Sequence, residues 1–178
     1  MGIRDNEIER LIKYAEGLGI KLFFKKHKPG SAGATWTVAE DNTVELTLFA
    51  WKNQSKTQMI LNFLHELAHH MAWVYQERSF SSELSRILNK NHDGSPLTKK
   101  ERYAVFKEER DDSVYRETIA HEIGIKIPTW KIKVDIELDI FIYYHYYEHD
   151  EYPSNAQVKQ KRKELNKKYK ENTNKTNG

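Results

Sequence analysis

The chain has 178 residues, with 29 Lys and Arg against 26 Asp and Glu for a net charge of +3, and no cysteine. That length suits one domain with a core plus a small appendage. The lack of cysteine excludes disulfides, Cys-ligated zinc fingers and thiol catalysis. The first seventeen residues, MGIRDNEIERLIKYAEG, are charged throughout, and no segment has the length and apolarity of a signal peptide or membrane span. A soluble, cytoplasmic protein without membrane contact is the expectation.

The charge is uneven along the chain. Lys159 to Gly178 hold eight basic residues and two glutamates, a balance of +6, which leaves −3 on residues 1–158. The basic character therefore belongs to the tail.

In chain order, Ile8, Leu11, Ile12, Ala15 and Leu18 recur at helical spacing, and Gly17 and Gly19 close the pattern, so a helix is predicted over about residues 5–17. IKLFFKK, ATWTVAE and VELTLFAW follow, rich in β-branched and aromatic residues and separated by the turn-forming KPGSAG and EDNT. They predict a small antiparallel sheet.

Ser55 and Gln58 then have capping-box spacing at the start of a helix whose Met59, Ile60, Phe63, Leu64, Leu67, Ala68 and Met71 give a broad apolar face. Inside it lies HELAHH, residues 65–70, an H-E-x-x-H string that sets His65 and His69 on one helical face, where both imidazoles can reach one metal ion. In a chain with 8 histidines so short a string also arises by accident, so its surroundings decide. Burying these polar groups without partners costs about 1–3 kcal/mol each, a cost that a metal offsets. The bland alternative is that both histidines lie at the helix edge, bonded to carbonyls.

A catalytic Zn²⁺ needs a third protein ligand and an open position for water. Tyr75 stands where a long-spaced third histidine would be, so the candidates are His92 in NKNHDGSPL and Glu117 or Glu122 in YRETIAHEIGIKIP. Thr98 and Glu101 make a second capping box, and Glu117 falls in the later helical pattern that ends at Pro128.

With HELAHH followed by ETIAHEIGIKIP, the chain resembles the ImmA/IrrE family of zinc metallopeptidases. In that family an H-E-L-x-H-H helix is followed by a second helix running from a glutamate to a proline over the same twelve-residue span as Glu117–Pro128. Between those two ends Ile125 and Ile127 suit the pattern, while His121, Glu122 and Lys126 depart from it. A helical pair commonly follows there, which favours helix over strand for DIELDIFIYYHYYEH, and Ser154 with Gln157 has capping-box spacing for the last helix.

The 47 residues between His69 and Glu117 exceed what the family leads one to expect, and residues 79–111 read as an inserted helix, turn and helix. His92 and Gly94 within it also resemble the third-histidine region of SprT-like peptidases. The resulting expectation is an α+β, zincin-like metallopeptidase with a small antiparallel sheet packed on the HExxH helix. Its domain covers residues 1–130, followed by a helical region over 131–170 and a disordered tail over 171–178.

The resemblance implies a zinc-dependent endopeptidase. Zn²⁺ is held by His65, His69 and Glu117, with His92 as the alternative third ligand, and Glu66 is the general base toward the water that zinc activates. Tyr143, Tyr144, His145, Tyr146, Tyr147 and His149 are candidate oxyanion donors, with no one of them singled out, and the favoured reading of most of this run is that it fills a core or a helix interface. The family's association with phages, mobile elements and stress responses points to an intracellular helix-turn-helix repressor or other DNA-binding regulator as substrate. The basic segment 157–170 is a candidate docking element, with weak nucleic-acid contact as a variant. From a different class, the chain is a nucleic-acid-binding or regulatory adaptor whose HExxH is inert.

Overall fold

A computed structural model describes residues 6–26, 33–39, 41–50, 55–76 and 82–176. The protein is α+β and mostly helical, with one small sheet. Its elements run α1 (Asn6–Gly17), β1 (Lys21–Lys26), β2 (Ala34–Val38), β3 (Val44–Ala50), α2 (Lys56–Tyr75), α3 (Ser82–His92), α4 (Lys99–Asp112), α5 (Tyr115–Glu122), α6 (Thr129–His149) and α7 (Asn155–Thr176). They form two compact units, Met1–Ala72 with Tyr115–Ile127, and Trp73–Val114 with Pro128–Gly178. This division differs from a 1–130 domain: the helix-turn-helix read as an insertion groups with the C-terminal helices.

In the first unit the sheet is mixed rather than antiparallel. Its order is β1-β3-β2, with β1 parallel and β2 antiparallel to β3. The strand burial explains the order. β3 buries Val44, Leu46, Thr47 and Leu48 and so takes the centre, whereas β1 exposes almost all its residues and suits an edge. A turn carries β2 into β3: the Ala39 N–H donates to Thr43 O at 2.8 Å, Asp41 Oδ1 accepts from the Thr43 N–H at 2.9 Å, and Asn42 supplies the positive φ of 62°. The KPGSAG turn lies almost wholly outside the described residues.

α1 buries Leu11 and Ala15 and turns polar residues toward the segment after α5. Arg10 Nη1 donates to Gly124 O at 2.8 Å, Tyr14 donates to Glu122 Oε2 at 3.1 Å, and Glu7 Oε1 accepts from the Lys126 N–H at 2.6 Å. Together these bonds fix the end of α5. That helix stops at Glu122 because Gly124 takes a φ of 67° and Ile125 N bonds back to Ala120 O. The Glu117–Pro128 span is therefore not one helix: Pro128 is the N-cap of α6.

In the second unit α3 and α4 are the predicted helix, turn and helix, and α4 opens on the Thr98–Glu101 capping box. Ile87, Leu97 and Val105 form a core with Tyr143 and Tyr146 packed against it. A second cluster, Val134, Leu138 and Leu165, joins α6 to α7 and is covered by Trp130, Phe141 and Tyr169. DIELDIFIYYHYYEH is helical, as expected, within α6. α7 runs on to Thr176 through the segment expected to be a disordered tail, and only residues 177 and 178 of that tail lie outside the described residues. No helix of the described residues is long and apolar enough to cross a membrane.

Candidate metal centre

α2 begins where Ser55 Oγ accepts from the Gln58 N–H at 3.1 Å, and the Gln58 side chain donates one turn on to Asn62 Oδ1 at 2.9 Å. From there Ile60, Phe63, Leu64 and Leu67 are buried almost completely, so the motif is anchored by core side chains on either side. Burying each such residue stabilises the helix by roughly 1.5–3 kcal/mol.

Helical i,i+4 spacing then brings His65 and His69 together. Their Nε2 atoms lie 3.1 Å apart, with ring planes at 80° and centroids at 4.7 Å. Glu66 is buried, as is His70 on the next side of the helix. From β2, Trp36 stacks on His69 with centroids 6.3 Å apart and planes 26° apart, and meets His70 edge-on at 6.4 Å. Just before β2, Gly33 approaches so closely that an added Cβ would sit 2.2 Å from Asn62 Nδ2. The sheet thus packs directly on the motif helix.

Trp36 had no site role in the sequence, and a second side chain that sequence reasoning missed is Arg116 of α5. It is 2% exposed, and its Nη2 bonds to Nδ1 of His65. An arginine in a charged stretch reads as a solvated residue. The available signal was its spacing: Arg116, Ile119 and Ala120 fall at i, i+3 and i+4, and all three are buried on one face.

The expected ligands are distributed unevenly. His65 and His69 are together. Glu117 follows Arg116 on α5, about 100° further round the helix, and among the described residues it forms no cluster with both imidazoles in which all three ligand atoms lie within 4.8 Å of one another. Glu122 is bonded to Tyr14. His92 belongs to the second unit, is 72% exposed and lies 3.6 Å from Asp93.

The candidate oxyanion donors also belong to the second unit. Tyr143 packs in the Ile87–Leu97–Val105 cluster, where burial and then the nearby Glu109 push its hydroxyl well above the ordinary range. Tyr147 stacks on Phe106 with planes 12° apart, Tyr146 stacks on Tyr152, and His145 Nδ1 donates to Glu151 O at 2.9 Å. These contacts give the run a packing role in α6.

No protein-family model matches this chain, and no curated protein or solved structure is similar to it at a significant level.

Proposed function

We propose that the protein is a zinc-dependent endopeptidase whose metal is held by His65 and His69 and whose substrate is a DNA-binding regulator, an ImmA/IrrE-like activity in a zincin-like first unit. The observation that carries this reading is the 3.1 Å Nε2–Nε2 separation. Tetrahedral zinc at 2.0–2.1 Å from each nitrogen holds two ligand nitrogens about 3.3 Å apart, so the pair needs almost no rearrangement. Glu117 is the third ligand in this reading and has to close on the pair, since its carboxylate is not clustered with them.

Zinc, when bound, activates water and polarises the peptide carbonyl. The chain's own contribution is Glu66, buried next to His65, which takes the proton of the attacking water and delivers it to the leaving amine. Trp36 keeps the His69 ring oriented.

The test combines metal analysis with cleavage of candidate repressors. His65→Ala and His69→Ala lose zinc, whereas Glu66→Gln keeps zinc and loses cleavage. If Glu66→Gln cleaves at the wild-type rate, the mechanism is wrong. If Glu117→Ala keeps zinc while His92→Ala loses it, the third ligand is His92, as in the SprT-like alternative.

One observation favours a second reading, a regulatory adaptor with an inert motif: the guanidinium of Arg116 already places a positive charge against His65. Wild-type protein that takes up no zinc yet binds nucleic acid decides for the adaptor.

A further inference from the structure

The contact between Arg116 and His65 constrains where protons sit. A guanidinium only donates, so Nδ1 of His65 has to be the acceptor. A neutral His65 then carries its one proton on Nε2. The Nε2 of His69, 3.1 Å away, is the acceptor for that proton, which leaves the proton of His69 on Nδ1. The relay therefore runs Arg116 to His65 to His69.

This tautomer of His65 is the wrong one for ligation through Nε2. A neutral imidazole that binds metal through Nε2 needs its proton on Nδ1, where a carboxylate, carbonyl or water ordinarily accepts it. With Arg116 donating at Nδ1 and a metal at Nε2, the ring would have to lose its last proton and become imidazolate. Either the arginine leaves or the ring ionises, and each outcome opposes metal entry.

We propose that Arg116 is a latch on the metal centre: it holds the His65–His69 pair in its metal-free hydrogen-bonded form and releases Nδ1 when zinc enters. Arg116 is thus a positioning residue that lowers zinc affinity. The proposal rests on the zinc-peptidase reading above for its metal, but the tautomer it requires belongs to the metal-free protein. The structure also provides a support for the latch, because Tyr14 of α1 holds Glu122, the last residue of the helix that carries Arg116, and Arg10 and Glu7 clamp the chain just beyond it at Gly124 and Lys126.

Two measurements test it. Nitrogen-15 imidazole spectra of metal-free wild-type protein, taken well above the ordinary histidine range, assign the tautomers; His65 protonated on Nε2 and His69 on Nδ1 is the expected result. A proton on Nδ1 of His65 overturns the proposal without touching the peptidase reading. Competition titration with zinc then compares wild type with Arg116→Met and Arg116→Gln, each checked for fold by circular dichroism. Tighter binding by roughly ten- to a hundredfold in the folded variant is expected, the size of effect that partners of metal-ligating histidines commonly have. Unchanged or weaker binding overturns the latch. Should neither wild type nor variants bind zinc, both the latch and the peptidase reading fail, even where the tautomers are as described.

Discussion

Trp36 lies over the ring of His69, with centroids 6.3 Å apart and planes 26° apart, so an aromatic residue of the sheet faces one of the two proposed metal ligands. Metal entry at His69 changes the charge next to the indole. Zinc addition is therefore expected to shift the tryptophan emission, and Trp36→Phe is expected to abolish the response while the other three tryptophans remain. Trp36→Leu removes the stack, worth about 0.5–1.5 kcal/mol, and should weaken zinc binding about two- to tenfold by competition titration. A zinc-dependent emission change that persists in Trp36→Phe would remove Trp36 from the site.

Arg102 illustrates a structural arginine in the second unit. It is buried, and Nη1 donates to Leu97 O at 2.8 Å and to Asp150 Oδ1 at 2.7 Å, while Nε donates to Tyr147 O at 3.3 Å. Arg102→Met leaves two carbonyls without this donor and is expected to cost about 2–4 kcal/mol in urea unfolding. Asp150 has a 64% exposed side chain, so Asp150→Asn should cost less than about 1 kcal/mol while keeping a residue that tolerates its φ of 62°. Equal losses in the two variants would show that the ion pair, rather than the carbonyl bonds, carries the arginine's contribution.

Glu101 sets an acid limit on the same unit. The Thr98 N–H in the capping box, and then Lys90 and Arg86, hold its carboxyl down at about 2 against an ordinary 4.5. A carboxylate with a depressed folded-state value contributes its full stability above the ordinary value, and the contribution is lost as pH falls from about 4.5 toward 2. Glu101→Gln should flatten the stability profile in that window and leave the slope at neutral pH unchanged. A profile parallel to wild type from pH 5 to pH 2 would show that the cap is not the source of acid sensitivity.

Local signals carried most of the helical architecture. The capping-box spacings at Ser55, Thr98 and Ser154 each mark a helix start, because the bonds involved span only three residues. The sheet was harder. Parallel pairing of β1 with β3 joins strands more than twenty residues apart, and it follows from β3 being the strand with the most to bury, which no turn sequence encodes. At the site, i,i+4 spacing fixed the His65–His69 pair from the sequence alone. The Arg116 contact depends on α5 packing beside α2, a tertiary relationship across fifty-one residues.

The basic helix gives the last prediction. Lys159, Lys163 and Lys167 recur every four residues along α7, and all three are exposed. Lys168 by contrast is bound to Glu137 at 2.8 Å, and Leu165 is buried against Val134 and Leu138. Removing α7 would therefore expose core, so truncation cannot separate docking from folding. Charge reversal can: Lys159→Glu, Lys163→Glu and Lys167→Glu together change the stripe by six charges without touching that core. The proposed docking of a DNA-binding regulator predicts unchanged zinc content and thermal stability, with slower repressor cleavage at low salt and a difference from wild type that shrinks as salt screens the stripe. Direct phosphate contact predicts in addition that single-stranded DNA binding falls in the variant and that its salt dependence becomes shallower. Repressor cleavage at the wild-type rate by the triple variant, at low salt, would eliminate the stripe as a substrate-docking element.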